Sequence, residues 1–210
     1  MTEVTQDFRY ADAAPTWANA YLWPVLRREV EVLRLASVRP RRAFDLGCGN
    51  GATANMLASL SFDVTGVDPS NSGIEIAKSA YPSCRFEVGS ASDDLSLRFG
   101  RFPLVVSLEV VEHVYDPRRF AQTVYDLVEP GGTAIVSTPY HSYLKNLALA
   151  ASGRLDNHFT ALWNGGHIKF FSIATLCQLL TEVGFSDIRF IRVGRIPPLA
   201  KSMVAVARKS

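Results

Sequence analysis

A glycine-rich segment that follows an apolar run constrains the fold of this chain more than any other feature. The run Phe44 to Leu46 is apolar except for one acid, and Gly47, Gly49 and Gly51 then recur at every second position before a helical pattern begins. Glycine permits positive φ angles, and without a Cβ it lets a ligand lie against the backbone. The N-terminus of the following helix offers unpaired N–H groups to such a ligand. The segment therefore predicts a buried strand, a tight ligand-binding turn and a helix.

Two acids accompany this turn. Asp45 precedes the first glycine by two residues, and Asp68 ends the next apolar segment, Phe62 to Pro69. An acid at the end of the second strand is the usual partner of ribose hydroxyls in nucleotide-binding sheets. We therefore expect Asp45 and Asp68 to face a ligand held in the turn.

Apolar runs alternate with helical patterns over about 100 residues, and two further strands then follow each other at 188–193 and 203–207 without a helix between them. Strict alternation is typical of parallel strands joined by crossover helices. We predict an α/β fold: a Rossmann-like, doubly wound, mostly parallel seven-stranded sheet with an antiparallel edge strand and helices on both faces. The five alternating runs end near Leu46, Val67, Val88, Ser107 and Ser137.

The length of 210 residues and a hydrophobic content of 48% predict a single domain over residues 1–210. Residues 1–14 carry no periodic pattern and are expected to be loosely ordered, while Pro15 to Ala36 is typical of an amphipathic helix within an N-terminal cap region, 1–38. Residues 140–168 interrupt the alternation with aromatic and histidine side chains after the fifth strand. Ligands bind at that edge of open α/β sheets, so the insertion is either a substrate lid or an ordinary packing subdomain.

Three motifs in order resemble those of class I S-adenosylmethionine-dependent methyltransferases. Asp45-x-Gly47-x-Gly49-x-Gly51 with Asp68 resembles their first motif and second-strand acid, Phe102 to Pro117 their fourth-strand motif, and Leu127 to Pro139 their fifth-strand motif. Glu112-His113 and the later segment Gly166 to Ser172 resemble the small-molecule branch, which includes the ubiquinone-biosynthesis O-methyltransferases.

The resemblance implies S-adenosylmethionine as cofactor and S-adenosylhomocysteine as product. It implies that Asp45, Gly47 and Gly49 hold the methionine portion and that Asp68 accepts hydrogen bonds from the ribose. It further implies that Ser90 and Ala91 border the adenine, with Asp93 the nearest acid, and that Leu108 lies beside the amino-acid portion of the cofactor.

His113 is the predicted catalytic residue, because imidazole has a pKa near neutrality and this histidine opens the segment after the fourth strand. The other interpretation is a structural histidine at a helix end. His141, His158 and His167 fall on the insertion and are candidate substrate contacts. We assign no metal site, although Glu109, Glu112 and His113 carry groups that could bind a divalent cation and acidify adjacent hydroxyls.

Other functions fit parts of the sequence. Gly47-x-Gly49-x-x-Ala52 followed by Asp68 also satisfies the relaxed dinucleotide fingerprint, so a NAD-dependent oxidoreductase is the main alternative. An N- or carboxyl-methyltransferase of a small molecule remains open as well. The Pro-Pro-Tyr segment typical of exocyclic-amine methyltransferases of nucleic acids does not follow the fourth strand, where the chain reads Ser107 to Val110. A non-catalytic binding module is disfavoured, because the acids and glycines of the loop are all present.

The expected partner is a small-molecule substrate, not nucleic acid, since the net charge is only +2. No transmembrane segment is expected, and the three widely spaced cysteines favour a reducing compartment, hence a cytoplasmic location. A local basic cluster permits peripheral contact with an anionic membrane surface. This cluster comprises Arg27, Arg28, Arg34, Arg39, Arg41 and Arg42. The sequence pattern does not specify an oligomeric state.

Overall fold

The structure, a computed structural model, describes residues 9–36, 41–159, 161–163 and 165–210, with the backbone alone at 34–36. Parts of the predicted cap region (1–8, 37 and 38) and of the predicted lid (160 and 164) therefore lie outside the described residues. The elements in chain order are α1 (Asn19–Ala36), β1 (Arg42–Leu46), α2 (Ala52–Ser59), β2 (Asp63–Asp68), α3 (Asn71–Ala80), β3 (Arg85–Val88), α4 (Leu95–Phe99), β4 (Phe102–Leu108), α5 (Pro117–Leu127), β5 (Val128–Pro139), α6 (Tyr143–Ala151), α7 (Leu155–Phe159), α8 (Ile173–Glu182), β6 (Phe185–Val193), a 3₁₀ turn (Pro197–Leu199) and β7 (Ser202–Lys209).

The described strands form one seven-stranded sheet in the order β3-β2-β1-β4-β5-β7-β6. Strands β1 to β5 are parallel, and β7 pairs antiparallel with both β5 and β6. The predicted fold class is confirmed, and the antiparallel strand lies one place inside the β6 edge. The order reverses between β1 and β4, which is the switch point where ligands bind in open α/β sheets.

Two apolar layers cover the sheet, one on each face. On one face Phe120 and Val124 of α5 and Leu176 of α8 pack against β1, β4 and β5. On the other face Leu26 of α1 and Leu57 of α2 pack with alternate residues of the same strands. Full burial of each such side chain contributes about 1.5–3 kcal/mol, so both layers stabilise the sheet.

Local sequence signals mark where helix α5 begins and where it ends. Asp116 accepts hydrogen bonds from the N–H groups of Arg118 and Arg119, each at 3.0 Å, and Pro117 occupies the first turn. The helix ends at Leu127, because Val128 has extended φ and ψ and already begins β5. The helix therefore ends before Pro130-Gly131-Gly132, a segment that is itself unfavourable in a helix.

The N-terminal helix begins at Asn19, four residues later than the sequence pattern predicts. Pro24 lies inside it, where its missing N–H deprives the Ala20 carbonyl of its intrahelical donor. Leu22 and Leu26 are buried, whereas Arg27 and Arg28 are exposed. Among the described residues, no helix has the length and apolar character needed to cross a membrane.

Candidate functional site

The glycine turn is tied to the end of β2. The N–H groups of Gly47 and Cys48 both donate to the carbonyl of Val67, at 2.8 and 3.1 Å. Gly47 has a φ of 78°, and a Cβ placed there would collide with the side chain of Val110, in the segment after β4. Glycine is required at this position both by the backbone angle and by the close approach of Val110.

Asp68 holds the turn from the neighbouring strand. Its Oδ2 accepts from the N–H of Gly49 at 2.9 Å, and its Oδ1 accepts from the N–H of Ser70 at 2.8 Å. The Ser70 hydroxyl in turn caps α3 by accepting from Gly73 N–H. A carboxylate oxygen accepts more than one hydrogen bond, so Asp68 can organise the turn and still accept from a ligand.

Asp45 is buried at the end of β1, and its Oδ2 has no hydrogen-bond partner among the described residues. Burial, with the nearby charge of Asp68, raises the pKa of Asp45 to about 7, and hydrogen bonding to the backbone of Ala54 acts weakly in the opposite direction. A cation beside Asp45 would stabilise the ionised carboxylate. The same surroundings raise the pKa of the buried Cys48 thiol, so this residue is an inert part of the turn.

The N-terminal segment contributes a residue that the sequence analysis missed. A Cβ at Gly49 would collide with the phenol of Tyr10, and burial together with Asp68 raises the pKa of Tyr10. The segment is fixed because Asn50 Nδ2 donates to the carbonyls of Asp12 and Ala14, at 2.8 and 2.9 Å. The expectation of loose order is therefore wrong for residues 9–14. Tyr10 belongs to no helix or strand, so no periodic pattern could identify it.

Ser90 and Ala91 lie after β3, at the same edge of the sheet, and both are half-buried. The Ser90 N–H donates to Asp93 Oδ2 at 2.8 Å, so this carboxylate shapes the loop. Leu108 ends β4, which pairs with β1. The predicted cofactor residues thus occupy the carboxyl ends of four adjacent strands, in the order β3, β2, β1 and β4.

Glu109 follows β4 in a left-handed conformation, with a φ of 56°. Its carboxylate accepts from the hydroxyls of Ser137, at 2.8 Å, and Ser202, at 3.0 Å, and Tyr21 of α1 lies 3.2 Å from the same Ser202 oxygen. Burial raises the pKa of Glu109 to about 7. A left-handed non-glycine residue is uncommon and often found at functional sites. Here it directs the carboxylate to β5 and β7.

Glu112 anchors the far end of the insertion. Its backbone carbonyl accepts from the N–H groups of Ile168, at 2.9 Å, and Lys169, at 3.0 Å. Its side chain is fully buried, and neither carboxylate oxygen has a hydrogen-bond partner among the described residues. Burial, with the charge of Glu109, raises the pKa of Glu112 well above its usual range. A buried carboxylate without partners is costly, which marks it as a candidate functional group.

His113 lies beside Glu112 and meets His167 from the insertion, with ring centroids 4.9 Å apart. Partial burial lowers the pKa of His113, and hydrogen bonding with the backbone of Gly166 and Gly165 partly offsets this. The pKa of His167 falls to about 4, mainly through burial and then through the neighbouring His113. Both imidazoles are therefore neutral near pH 7, with a nitrogen lone pair available to a proton or a metal ion.

The other two histidines of the insertion belong to a separate aromatic cluster. His141 is buried against the rings of His158, Phe159 and Phe170, with centroids 5.6, 6.0 and 5.1 Å away. Burial, helped by the charge of Lys145, lowers the pKa of His141 to about 4. This cluster packs the insertion, and only His167 among the three candidate histidines is placed beside His113.

Helix α6 presents apolar side chains to solvent. Tyr143, Leu144 and Leu147 are exposed, as are Leu162 and Ile168 farther along the insertion. An exposed apolar patch is typical of a ligand or partner surface. That the insertion covers a substrate stays a prediction.

Curated relatives of this chain include proteins named ubiquinone biosynthesis O-methyltransferase. The protein from Thiobacillus denitrificans is 29% identical over 84% of this chain and 80% of its own length. The protein from Caulobacter sp. K31 is 40% identical over 53% of this chain, but the match covers 46% of the relative. The chain therefore spans about half the length of that relative.

Solved structures share the fold. A S-adenosylmethionine-dependent methyltransferase from Mesorhizobium loti superposes with a TM-score of 0.66 at 21% identity, covering 89% of this chain and 97% of that chain. A TehB-like SAM-dependent methyltransferase from Corynebacterium glutamicum gives 0.62 at 20% identity, covering 90% and 94%. The strand order bears on the NAD-dependent alternative. In this chain β7 lies between β5 and β6, whereas the dinucleotide-binding fold has the strand order 3-2-1-4-5-6.

The family profile described as "Methyltransferase domain" matches residues 19–189, which include all seven strands except β7 and the last four residues of β6. The chain belongs to the methyltransferase domain family.

Proposed function

We propose that this protein transfers the methyl group of S-adenosylmethionine to a small-molecule acceptor, at a hydroxyl or phenol oxygen. One observation carries the proposal: two acids, Asp45 and Asp68, flank the left-handed glycine turn at the switch point, and His113 stands beyond the adjacent β4 end. The names of the relatives support oxygen as the acceptor atom.

In this proposal each predicted cofactor residue has a distinct contact. The buried Asp45 carboxylate and the backbone at Gly47 and Gly49 hold the amino-acid portion, whose ammonium group compensates the isolated charge of Asp45. Asp68, already bonded to Gly49 N–H, accepts from the ribose hydroxyls.

Other residues would border the two ends of the cofactor. Ser90 and Ala91 border the adenine on the loop that Asp93 shapes. Leu108 packs beside the methionine portion, and Tyr10 forms a further wall over Gly49.

The cofactor supplies an activated methyl group, and the protein supplies position and proton control. The residues that hold the cofactor and the acceptor would supply the alignment that methyl transfer needs. His113 is the group we assign to the acceptor's proton, because its lowered pKa keeps it neutral near pH 7. The insertion that bears His167 closes the acceptor side, and its apolar surface suits a planar or lipophilic phenol.

The test is transfer of isotopically labelled methyl from S-adenosylmethionine to a panel of phenols, catechols, amines and carboxylic acids. We expect labelled ethers from the phenolic compounds. We expect His113→Ala to lose turnover while its affinity for S-adenosylhomocysteine is retained, because the residue lies beyond the predicted cofactor contacts. Full turnover by His113→Ala would remove its catalytic role. Labelling of amines or carboxylic acids alone would assign the acceptor to a different atom.

A further inference from the structure

Trp163, on the insertion, packs against two histidines of the proposed acceptor side. Its ring centroid lies 6.4 Å from that of His113, at an interplanar angle of 89°, and 6.0 Å from that of His167, at 69°. The two imidazoles are themselves 4.9 Å apart at 66°. The indole therefore stands edge to face with the residue that we assign to the acceptor's proton.

Backbone contacts hold Trp163 in this position. The N–H of Gly166 donates to the carbonyl of Trp163 at 3.0 Å, and Gly165 has a φ of 81°, which favours glycine. The backbone of both glycines is hydrogen-bonded to His113. A Cβ on Gly166 would lie 3.4 Å from the indole, so the ring folds back onto its own turn. Because these bonds are made by the backbone, a change of the Trp163 side chain should leave the turn and His113 in place.

Trp163 is half-exposed in spite of these contacts. It exposes 47% of its surface, whereas His141, in the aromatic cluster that packs the insertion, exposes 7%. An indole offers a large, rigid apolar face, and aromatic rings bind one another in offset stacks. A half-exposed indole beside the imidazole of His113 is therefore suited to hold a planar ligand.

Resting on the proposed function, we propose that the indole of Trp163 is the surface on which the aromatic ring of the acceptor stacks, which selects planar phenols over non-planar hydroxyl compounds. A ring that lies parallel to the indole stands, like the indole, at nearly a right angle to the His113 imidazole. The hydroxyl of a phenol lies in the plane of its ring, so it can be presented to the imidazole edge that carries the nitrogens. Stacking would thus orient the acceptor as well as bind it.

The experiment measures acceptor binding without turnover. The full chain is saturated with S-adenosylhomocysteine and titrated by calorimetry with catechol and with the wider 2,3-dihydroxynaphthalene. We expect the wider ring to bind the wild type more tightly, because a stacking contact grows with ring area.

Three substitutions of Trp163 separate stacking from apolar contact. Trp163→Ala should weaken the binding of catechol about tenfold, and that of the naphthalene diol by more, since stacking and the burial beneath it are both lost. Trp163→Phe should stay within about threefold of the wild type, because it keeps an aromatic face. Trp163→Leu, which is apolar but has no ring, should behave like Trp163→Ala.

Tyr115→Ala is the matched control. Tyr115 is also an exposed aromatic residue near His113 in the chain, but its ring lies 5.4 Å from the ammonium of Lys169. We expect this variant to bind both diols like the wild type. In turnover, Trp163→Ala should raise the KM for catechol more than it lowers kcat, whereas His113→Ala should act on kcat.

An unchanged affinity for S-adenosylhomocysteine in each variant shows that the fold is intact. Wild-type affinity for catechol in Trp163→Ala, or equal affinities in Trp163→Phe and Trp163→Leu, would overturn the stacking surface. If phenols were methylated with an unchanged KM in Trp163→Ala, the stacking surface would fail and the proposed function would stand. Ring-dependent binding without methyl transfer to any acceptor would do the reverse.

Discussion

The buried carboxyl of Asp45 makes cofactor binding depend on pH in a way that can be calculated. In the free protein its pKa is raised from 3.8 to about 7, chiefly by burial and then by Asp68. The ammonium group of the cofactor, placed beside Asp45, would return that pKa to near its ordinary value. Protonation of Asp45 then competes with binding, so affinity should rise as the pH rises toward 7 and level off above it.

The magnitude follows from the two pKa values. With about 7 in the free protein and about 4 in the complex, the affinity should fall about fifteenfold between pH 7 and pH 5.5, equivalent to about 1.6 kcal/mol. Binding at pH 6 should release about 0.9 proton. Folding has the opposite pH dependence: without ligand, Asp45 makes the free energy of unfolding fall as the pH rises from about 4 to about 7, because the folded state holds the proton.

Isothermal titration calorimetry with S-adenosylhomocysteine provides the assay, since this product carries the same ammonium group and is chemically inert. Titrations at pH 5.5, 6 and 7 give the affinities, and paired buffers of different ionisation enthalpy give the protons released. Asp45→Asn is the matched control, because a carboxamide cannot ionise, and its weakened affinity should lose most of the pH dependence. An affinity that is constant in the wild type from pH 5.5 to 7, without proton release, would refute the placement of the ammonium beside Asp45.

Other predictions concern the glycine turn, the loop after α6 and the ion pair of α1. Asp68→Ala should weaken cofactor binding by about 1–3 kcal/mol, because it leaves buried hydrogen-bonding groups unpaired; unchanged affinity by calorimetry in a folded variant would place the ribose elsewhere. Gly153 lies in open space with a φ of 65°, so Gly153→Ala should cost about 1–2 kcal/mol of stability through backbone strain alone. Gly47→Ala should cost more, because its Cβ would also collide with Val110. Thermal melts measure both losses, and equal losses would contradict this. Arg189→Ala should lower the free energy of unfolding by about 1–3 kcal/mol, because it removes the ion-pair partner of the buried Glu29, and a urea curve superposing on the wild type would show that the pair contributes nothing.

The sheet and the glycine turn were predictable because their signals are local. An apolar run, an acid and alternating glycines occupy eight consecutive residues, and Asp116-Pro117 and Ser172 mark helix starts within a single turn. These signals depend on backbone conformation and on burial, which the sequence expresses directly.

The contacts of the insertion with the segment after β4 were less predictable because they are long-range. His167 reaches Glu112 through two backbone hydrogen bonds that link segments more than fifty residues apart, and side-chain periodicity carries no information about such bonds. Glu109 was grouped with Glu112 by proximity in sequence, but its left-handed backbone turns the carboxylate toward Ser137. Tyr10 was not predicted as a site residue, because its neighbours in the sequence show no periodic pattern.

The most direct test of the central claim is a calorimetric titration of the purified protein with S-adenosylmethionine, S-adenosylhomocysteine and NAD side by side. The account predicts micromolar binding of the first two and no binding of NAD. Binding of NAD alone would contradict the assignment of the glycine turn, Asp45 and Asp68 to S-adenosylmethionine.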